Sequence, residues 1–495
     1  MRSSRFSRFR VAITLAVPGI VLFANELLAR ARGAGGGDGG GGGFNGGGNG
    51  VDYGIDTYRG YGSSGHFDFS VIVTTFFLLL ILFGIFSVVA KFRKRSKVSA
   101  FGEVMPETTS DERIENNVSL PGAPPGFDAA GFQSKVRKAF GEVQMAWSEQ
   151  NTALMRRFIS DGVYQRFSTQ FRMMRLLRQT NLLSGINISM LWIERIEQDG
   201  QYEIVHAGIK ASMTDRFVCD LNHALDEEGK NEFVEYWSFI RKRGASGKDI
   251  YESDKCPNCG APLPKDMGEL CKCRYCNAMI NSGEFDWVLA EITQLEDYRR
   301  DGVSSEKSPS LKAKVAELAA VYGDFSVQLA EDKASNAYMQ MMTARAMHDP
   351  ALMRRFVTDE LFRQLAPQYE KNREIFNRLF LNRVTLIGAE KMDGKNRLTF
   401  AITCSYQRAM FTGNSVQLVD PNIVQREEIM ILTRDASAGA GKGSIYQHTC
   451  PFCGGPVKDT LDIRCSYCGS TLNSTANDWV VSALMSREVF MAVVP

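Results

Sequence analysis

The stretch ALMRRF, Ala153 to Phe158, returns letter for letter at Ala351 to Phe356, and each copy has an aspartate three positions after its phenylalanine, Asp161 and Asp359. Six consecutive identities are hard to obtain by chance, and further matches follow outward from them. Asp286-Trp287-Val288 is echoed by Asp478-Trp479-Val480, and Asp199-Gly200 and Asp393-Gly394 mark matching turns between apolar, β-branched runs. A unit of roughly two hundred residues used twice is a domain duplication, far longer than the periods of solenoids. The 495-residue chain is long enough for several cores.

Each copy reads as helices followed by strands. Phe132, Val136, Phe140, Val143 and Trp147 recur at three- and four-residue spacing, the mark of one buried helical face. Asp349-Pro350 reads as an N-cap followed by a first-turn proline. Ile186 to Ile196, Tyr202 to Met213, Phe233 to Arg241 and Trp287 to Thr293 read as strands. Val384 to Ala389, Leu398 to Gln407, Gln425 to Arg434 and Trp479 to Ser486 match them in the second copy. Helices ahead of a meandering antiparallel sheet make an α+β domain.

Nine of the eleven cysteines fall in two clusters between the last two strands of each copy. Cys256 and Cys259 precede Cys273 and Cys276; Cys450 and Cys453 precede Cys465 and Cys468. A Cys-x-x-Cys turn aims two thiolates at one point, and two such turns supply the tetrahedral sulfur set that structural zinc prefers. Two zinc ions per chain are expected, each with a closed ligand set and so structural. Disulfides are the rival reading, disfavoured on the reducing side of a membrane. Cys271 aligns with Ile463 and reads as an apolar filler; His448 has no counterpart in the first cluster. Cys219 and Cys404 sit alone in apolar stretches and read as core residues.

The N-terminal part places these domains. Arg2, Arg5, Arg8 and Arg10 precede an apolar run from Val11 to Leu28, the order of a signal peptide or a first anchor. A glycine-rich stretch follows, with almost nothing to bury, so it reads as a tether. Phe69 to Ala90 carries no charge, and at ~1.5 Å per residue it spans a ~30 Å hydrocarbon core. Lys91, Arg93, Lys94, Arg95 and Lys97 come directly after it, which orients the C-terminal domains to the cytosol. Over the whole chain 58 basic residues balance 56 acidic ones, so the protein has no global electrostatic claim on a polyanion.

The helix ending in Trp147, the segment Leu154 to Phe158, a basic helix after it, the strand EYWSFIR from Glu235 to Arg241 and the later Trp287 together resemble the Tim44-like domain family. That family is named for a subunit of the mitochondrial inner-membrane translocase and has many bacterial relatives with a signal segment, a glycine-rich stretch and one span. The resemblance covers roughly Ala129 to Leu295 and Leu311 to Val489, with Ile429 read in place of Trp237. The zinc ribbon departs from the mitochondrial pattern. The resemblance implies a cone of helices on a curved antiparallel sheet, similar to nuclear transport factor two, with an apolar pocket between the layers. It also implies tethering of translocation machinery or polypeptides at a membrane, and contact with lipid.

The expected architecture is thus α+β: two tandem cone-like domains, each with a four-cysteine zinc ribbon inserted before its last strand, behind one transmembrane helix. Its divisions are a signal or first anchor at 1–31, an extracytoplasmic tether at 32–67, the span at 68–90 and a basic, then flexible linker at 91–128. The first domain occupies 129–296 with its ribbon at 252–282, a linker 297–310, and the second domain 311–495 with its ribbon at 446–474. The expected setting is the bacterial inner membrane.

Three function classes remain to be weighed. The helix from Arg166 to Gln179 places Arg172, Arg175 and Arg178 at three-residue spacing above Phe167, Phe171, Met174 and Leu177, a face suited to anionic lipid or to plain solvent. Its counterpart near Leu361 to Arg378 carries Glu370 and Glu374, so only the first copy has a purely basic face. A membrane-anchored scaffold that binds lipid, translocation components or other membrane proteins fits these features best. Nucleic-acid or ribosome binding through the ribbons would rest on Lys265, Lys272, Arg274, Lys458 and Arg464, too few and too mixed with acids for a phosphate track. A pocket enzyme would have to use His206 with Asp215, but the second copy has Ala401 or a neighbour at the histidine's place, and there is no phosphate loop or nucleophile elbow. No catalytic activity and no small-molecule substrate are expected.

Overall fold

The computed structural model describes residues 121–300, 307–323, 325–412, 414–438, 450, 452–455, 457 and 461–493. The signal or anchor, the tether, the span at 68–90, most of the linker at 91–128 and His448 lie outside them. Among the described residues no helix is long and apolar enough to cross a membrane.

The first half opens with α1 (Ala129–Glu149), capped by the Asp128 carboxylate on the N–H of Gly131 and closed by Gln150 in the left-handed region. A short 3-10 turn leads into α2 (Asp161–Leu176), whose N-cap is the Ser160 hydroxyl. Four antiparallel strands follow in the order β1 (Gln179–Asp199), β2 (Tyr202–Cys219), β3 (Glu227–Lys242) and β4 (Val288–Gln294). After α3 (Leu295–Arg300) and α4 (Leu311–Val321) the pattern repeats. Helix α5 (Val327–Met347) has the length of α1 and again ends on a left-handed residue, His348. Helix α6 (Asp359–Lys371) starts from a Thr358 cap. The second sheet runs β5 (Glu374–Met392), β6 (Lys395–Thr412), β8 (Val424–Asp435) and β9 (Val480–Ser486), with β7 (Ser415–Leu418) on β6; α7 (Arg487–Val493) follows β9.

Irregularities repeat as faithfully as elements do. The β1–β2 ladder slips at Ser184/Asn187, Ile188/Met190 and Ile193/Arg195, and the β5–β6 ladder slips at Asn377/Phe380, Leu381/Arg383 and Leu386/Gly388. Three bulges at the same places bend both long strands, since an unpaired extra residue kinks its strand and increases its twist. At the first bulge Gly185 has φ +60°, and the second half puts Arg378 there at φ +50°. Lys135 pairs with Asp286 in one half and Lys333 with Asp478 in the other, each tying a long helix to the aspartate two positions ahead of the last strand.

Between helices and sheet the first half is packed solid. Phe132, Phe140, Trp147, Phe167, Phe171, Trp237 and Phe239 are all buried there, and the Phe140 and Trp237 rings sit 5.5 Å apart. Side chains fill the space in which the family resemblance implied a pocket. A small cavity with room for little more than a water lies instead where the halves meet, lined by Trp147, Gln170 and Phe217 of one and Arg378 and Phe380 of the other.

Several sequence expectations need correcting. The strands are longer than their apolar cores suggested, because a bulged strand loses the strict alternation that marks it. The basic helix ends at Leu176, and Arg178 lies beyond it at φ +49°. In the second half the helix ends at Lys371, so Glu374 and Arg378 belong to β5. Asp349 caps only a 3-10 turn, Pro350–Met353. The two Asp-Gly dipeptides are one position out of register: the two-residue turns are Gly200-Gln201 and Asp393-Gly394. Counting from those turns, Trp237 corresponds to Met430 and not Ile429, and His206 corresponds to Thr399 and not Ala401.

Candidate metal centres

Each Cys-x-x-Cys is built as a tight knuckle. The N–H of Cys256 donates to Ala261 O at 2.7 Å and the N–H of Gly260 to Cys256 O at 2.8 Å, with Gly260 at φ +73°. Cys273 closes on Ala278 and Asn277, Cys450 on Gly455 and Gly454, and Cys465 on Ser470 and Gly469. The residue after the second cysteine is left-handed in all four, Asn277 being the one that is not glycine.

The knuckles bring together the eight cysteines that the spacing selected, as two sets of four. Within each set all sulfurs lie within 4.8 Å of one another. Cys256 and Cys276 stand 3.7 Å apart and Cys259 and Cys273 3.8 Å; Cys450–Cys468 and Cys453–Cys465 are both 3.7 Å. Metal–sulfur bonds of ~2.3 Å in a tetrahedron give edges of about 3.8 Å, whereas a disulfide requires ~2.05 Å. The donor sets therefore fit one tetrahedral thiophilic ion each, and all eleven cysteines are free thiols. Within each set some thiols are drawn down and others pushed up: the N–H of Ala278 and the Asn258 amide draw Cys276 down to about 6 and Ser470, through its hydroxyl and N–H, draws Cys468 below its ordinary value, while burial pushes Cys256 up to about 12. Cys271 is wholly buried in the first half's core, with Arg156 and Asp161 nearby, and lies outside the four-sulfur set.

The two lobes differ in how they are mounted. Cys256, Cys271, Cys273, Met267, Ile280 and Phe285 belong to the main core of the first half. Arg156, buried beneath that lobe, donates to the carbonyls of Glu269 at 2.6 Å, Gly268 at 3.1 Å and Ile159 at 3.2 Å, and pairs with Asp161 at 2.6 Å. The second lobe has a small core of its own, Cys450, Val457, Cys465 and Leu472. Both lobes share one asparagine contact, Asn281 donating to Ile159 O at 2.9 Å and Asn473 to Val357 O at 3.1 Å, and both leave the knuckle tyrosine exposed, Tyr275 by 70% and Tyr467 by 60%.

The other expected residues are placed as follows. Arg172, Arg175 and Arg178 are all exposed, but α2 beneath them is a buried helix with protein on both sides, and Arg175 donates to Gln150 O at 2.6 Å. His206 is buried between Ser238 at 2.9 Å and Glu197 at 3.0 Å. Asp215 lies nine positions along the same strand and on the opposite face, roughly 30 Å away at ~3.3 Å per residue. The pair is not assembled. Cys219 and Cys404 are buried as expected.

Two polar sites carried no signal in the sequence. One is the seam where α2 crosses α5. Asp332 takes hydrogen bonds from the Ser160 hydroxyl and the Gly162 N–H, Arg166 reaches Ser335 at 2.8 Å and forks onto Glu291, Thr169 meets Thr343 at 2.8 Å, and Gln170 donates to Leu379 O at 2.8 Å. Burial raises Asp332 to about 7. The other is Glu235, fully buried beside Trp237 and raised by that burial to about 8. The partners in the seam are joined only by folding, and a single glutamate in a strand gives no warning of its burial.

No curated protein matches the sequence. A solved structure described as an Ntf2 like protein involved in plasmid conjugation is similar over 72% of this chain and 97% of that one, at 7% identity and a TM-score of 0.16. The family comparison reaches the part of the first half that holds α1, α2 and the first three strands: residues 119–252 match the Tim44-like domain.

Proposed function

We propose that this protein is a membrane-anchored scaffold: two Tim44-like units, each stiffened by one structural zinc in its four-cysteine ribbon, held on the cytosolic side by the span at 68–90. There they tether partner proteins or lipid at the inner membrane and assist protein transport. The observation that carries the reading is the Tim44-like match at residues 119–252. The element-by-element repetition supports a second unit of the same kind, and four closed sulfur ligands per lobe support a structural ion in place of a catalytic one, since no position is left for water. The uncharged stretch Phe69 to Ala90 with its following lysines and arginines supports the anchor.

The test is fractionation followed by purification. Full-length protein should stay with membranes through high-salt and alkaline washes, and a chain lacking 68–90 should be released. Protein recovered under gentle solubilisation should contain two zinc per chain and carry translocation components or client polypeptides with it. Release of the full-length chain by washing removes the anchor. Ribosomal proteins and RNA in the eluate would shift the reading to nucleic acid held by the exposed ribbon tips.

A further inference from the structure

The halves repeat each other in shape but meet head to tail, and among the described residues this leaves one copy of the meeting surface uncovered. In the second half, α5 and the edge of β5 receive α2 of the first. Asp332, Ser335, Met339 and Thr343 on α5, with Ile375 and Leu379 on β5, are all buried there. Thr169 and Gln170, adjacent on α2, touch Thr343 and Leu379, so those two positions lie within the width of one helix. The same positions in the first half are Ser134, Arg137, Gly141 and Met145 on α1, with Leu182 and Ile186 on β1. All six are exposed: Met145 by 51%, Leu182 by 51% and Ile186 by 40%. Among the described residues nothing lies over Gly141.

The substitutions say what would fit. Ser335 accepts from Arg166 of the incoming helix, whereas Arg137 stands at that place in the first half and calls for a carboxylate. Helix α6 of a second copy is a poor occupant. Where α2 has Gly162, which approaches so closely that a Cβ would sit 2.3 Å from the Asp332 carboxylate and 2.6 Å from its carbonyl, α6 has Glu360. Where α2 has Thr169, α6 has Pro367.

We infer that the α1/β1 surface of the first half, centred on Met145, Ile186 and Arg137, is a docking site for an amphipathic helix of a partner protein that sets a carboxylate against Arg137, seated as α2 is seated on the second half. The inference rests on the scaffold reading only for the existence of a partner. The anchor is tested by fractionation and the surface by binding, so either can fail without the other.

The probe is a stapled, fluorescently labelled peptide of residues 158–178 carrying Arg166→Glu, with Phe167→Gln, Phe171→Gln and Met174→Gln for solubility. It is titrated into the detergent-solubilised full-length chain. Saturable binding is expected, weakened at least tenfold by Met145→Asp or Ile186→Asp, and weakened likewise by Arg137→Glu. The peptide that keeps Arg166 should bind wild type at least tenfold less tightly and should regain affinity for the Arg137→Glu chain. These positions are exposed, and unchanged thermal melting of each variant would show the fold intact. Absence of binding by the Arg166→Glu peptide, or binding indifferent to Met145→Asp and Ile186→Asp, overturns the proposal. So does a photo-crosslinker at position 145 that captures a second copy of this chain or lipid.

Discussion

The first cysteine lobe is part of its domain's core, whereas the second is an appendage. Both have four sulfurs in the same paired arrangement, but Cys256 and Cys273 share a cluster with Phe158, Ile159 and Trp287, while among the described residues Cys450 and Cys465 cluster with Val457 and Leu472. The helices that follow the ALMRRF motifs differ in the same sense: α2 is gripped on both sides, and α6 keeps one polar face in water. Two halves with one backbone plan differ most where a helix is internal to the molecule. Burial, more than ancestry, decides what each shared residue is worth.

The largest expected contrast is in the metal sites. Structural zinc binding is worth roughly 10–16 kcal/mol in finger peptides, so its loss exceeds the stability of most domains. Cys273→Ser should abolish cooperative unfolding of the first half, because the lobe that collapses is continuous with that core. Cys465→Ser should abolish metal binding at the proposed zinc site of its lobe yet leave the main melting transition in place. Tryptophan fluorescence can read this, since Trp147, Trp192, Trp237 and Trp287 of the five tryptophans lie in the first half. Equal effects of the two substitutions would break the distinction between a core lobe and an appended one.

Next in size are the arginines beneath the lobes, the same letter of the repeated motif. Arg156 is 1% exposed and satisfies three carbonyls and a carboxylate; Arg354 is 24% exposed and pairs with Asp359 at the surface. Removing one member of a buried charged network costs about 3–5 kcal/mol, and an exposed pair contributes about 0–1. Urea denaturation of Arg156→Ala and Arg354→Ala should show that ratio. Near-equal losses would mean the second lobe leans on its arginine more than its geometry indicates.

Much of this plan was legible in the sequence, because duplication, cysteine spacing and hairpins are local signals. The ALMRRF motif, the paired Cys-x-x-Cys knuckles and the place of Cys271 outside the four-sulfur set each need only nearby letters. Helix ends were less so. Between Arg172 and Leu183 the chain runs on with no glycine or proline to mark where α2 stops and β1 begins, and the turn is made by an arginine, Arg178, at φ +49°. The register of the turns misled for a related reason: Asp-Gly fits either of two adjacent positions. Least legible was the seam, since Ser160, Gly162 and Thr169 look like ordinary helix residues until Asp332 and Thr343 arrive from the far half of the chain.

The seam supplies the next contrast. Gly162→Ala puts a methyl group against the Asp332 carboxylate and backbone, a forced overpacking expected to cost about 1–3 kcal/mol. Glu360→Ala at the matching place on α6 touches nothing buried and should change stability by less than about 0.5 kcal/mol. A tolerated Gly162→Ala would mean the halves can slide apart without loss, and the head-to-tail contact would then be looser than its hydrogen bonds imply.

The smallest and most specific contrast is a difference of one hydroxyl. Glu428 of the second half accepts from the Tyr338 hydroxyl at 2.6 Å, while for its counterpart Glu235 the position equivalent to that tyrosine is Phe140, and one carboxylate oxygen has no hydrogen-bond partner among the described residues. Burial raises Glu235 from 4.5 to about 8, against the pull of the Trp237 indole N–H. Below about 4.5 both folded and unfolded chains hold this proton. Between there and about 8 only the folded chain does. The folded state then binds more protons, so stability falls as pH rises across that window, by at most about 1.4 kcal/mol per pH unit. Asp332 adds a slope of the same sign up to about 7, so the informative quantity is the difference between variants. Glu235→Gln cannot ionise, and its urea midpoint between pH 5 and 8 should fall less steeply than wild type. Phe140→Tyr imports the hydroxyl that the second half already has. It should stabilise the Glu235 carboxylate, lower its pKa and flatten the same profile while keeping the acid. If Glu235→Gln flattens the profile and Phe140→Tyr does not, the halves differ at this point in more than the missing hydroxyl.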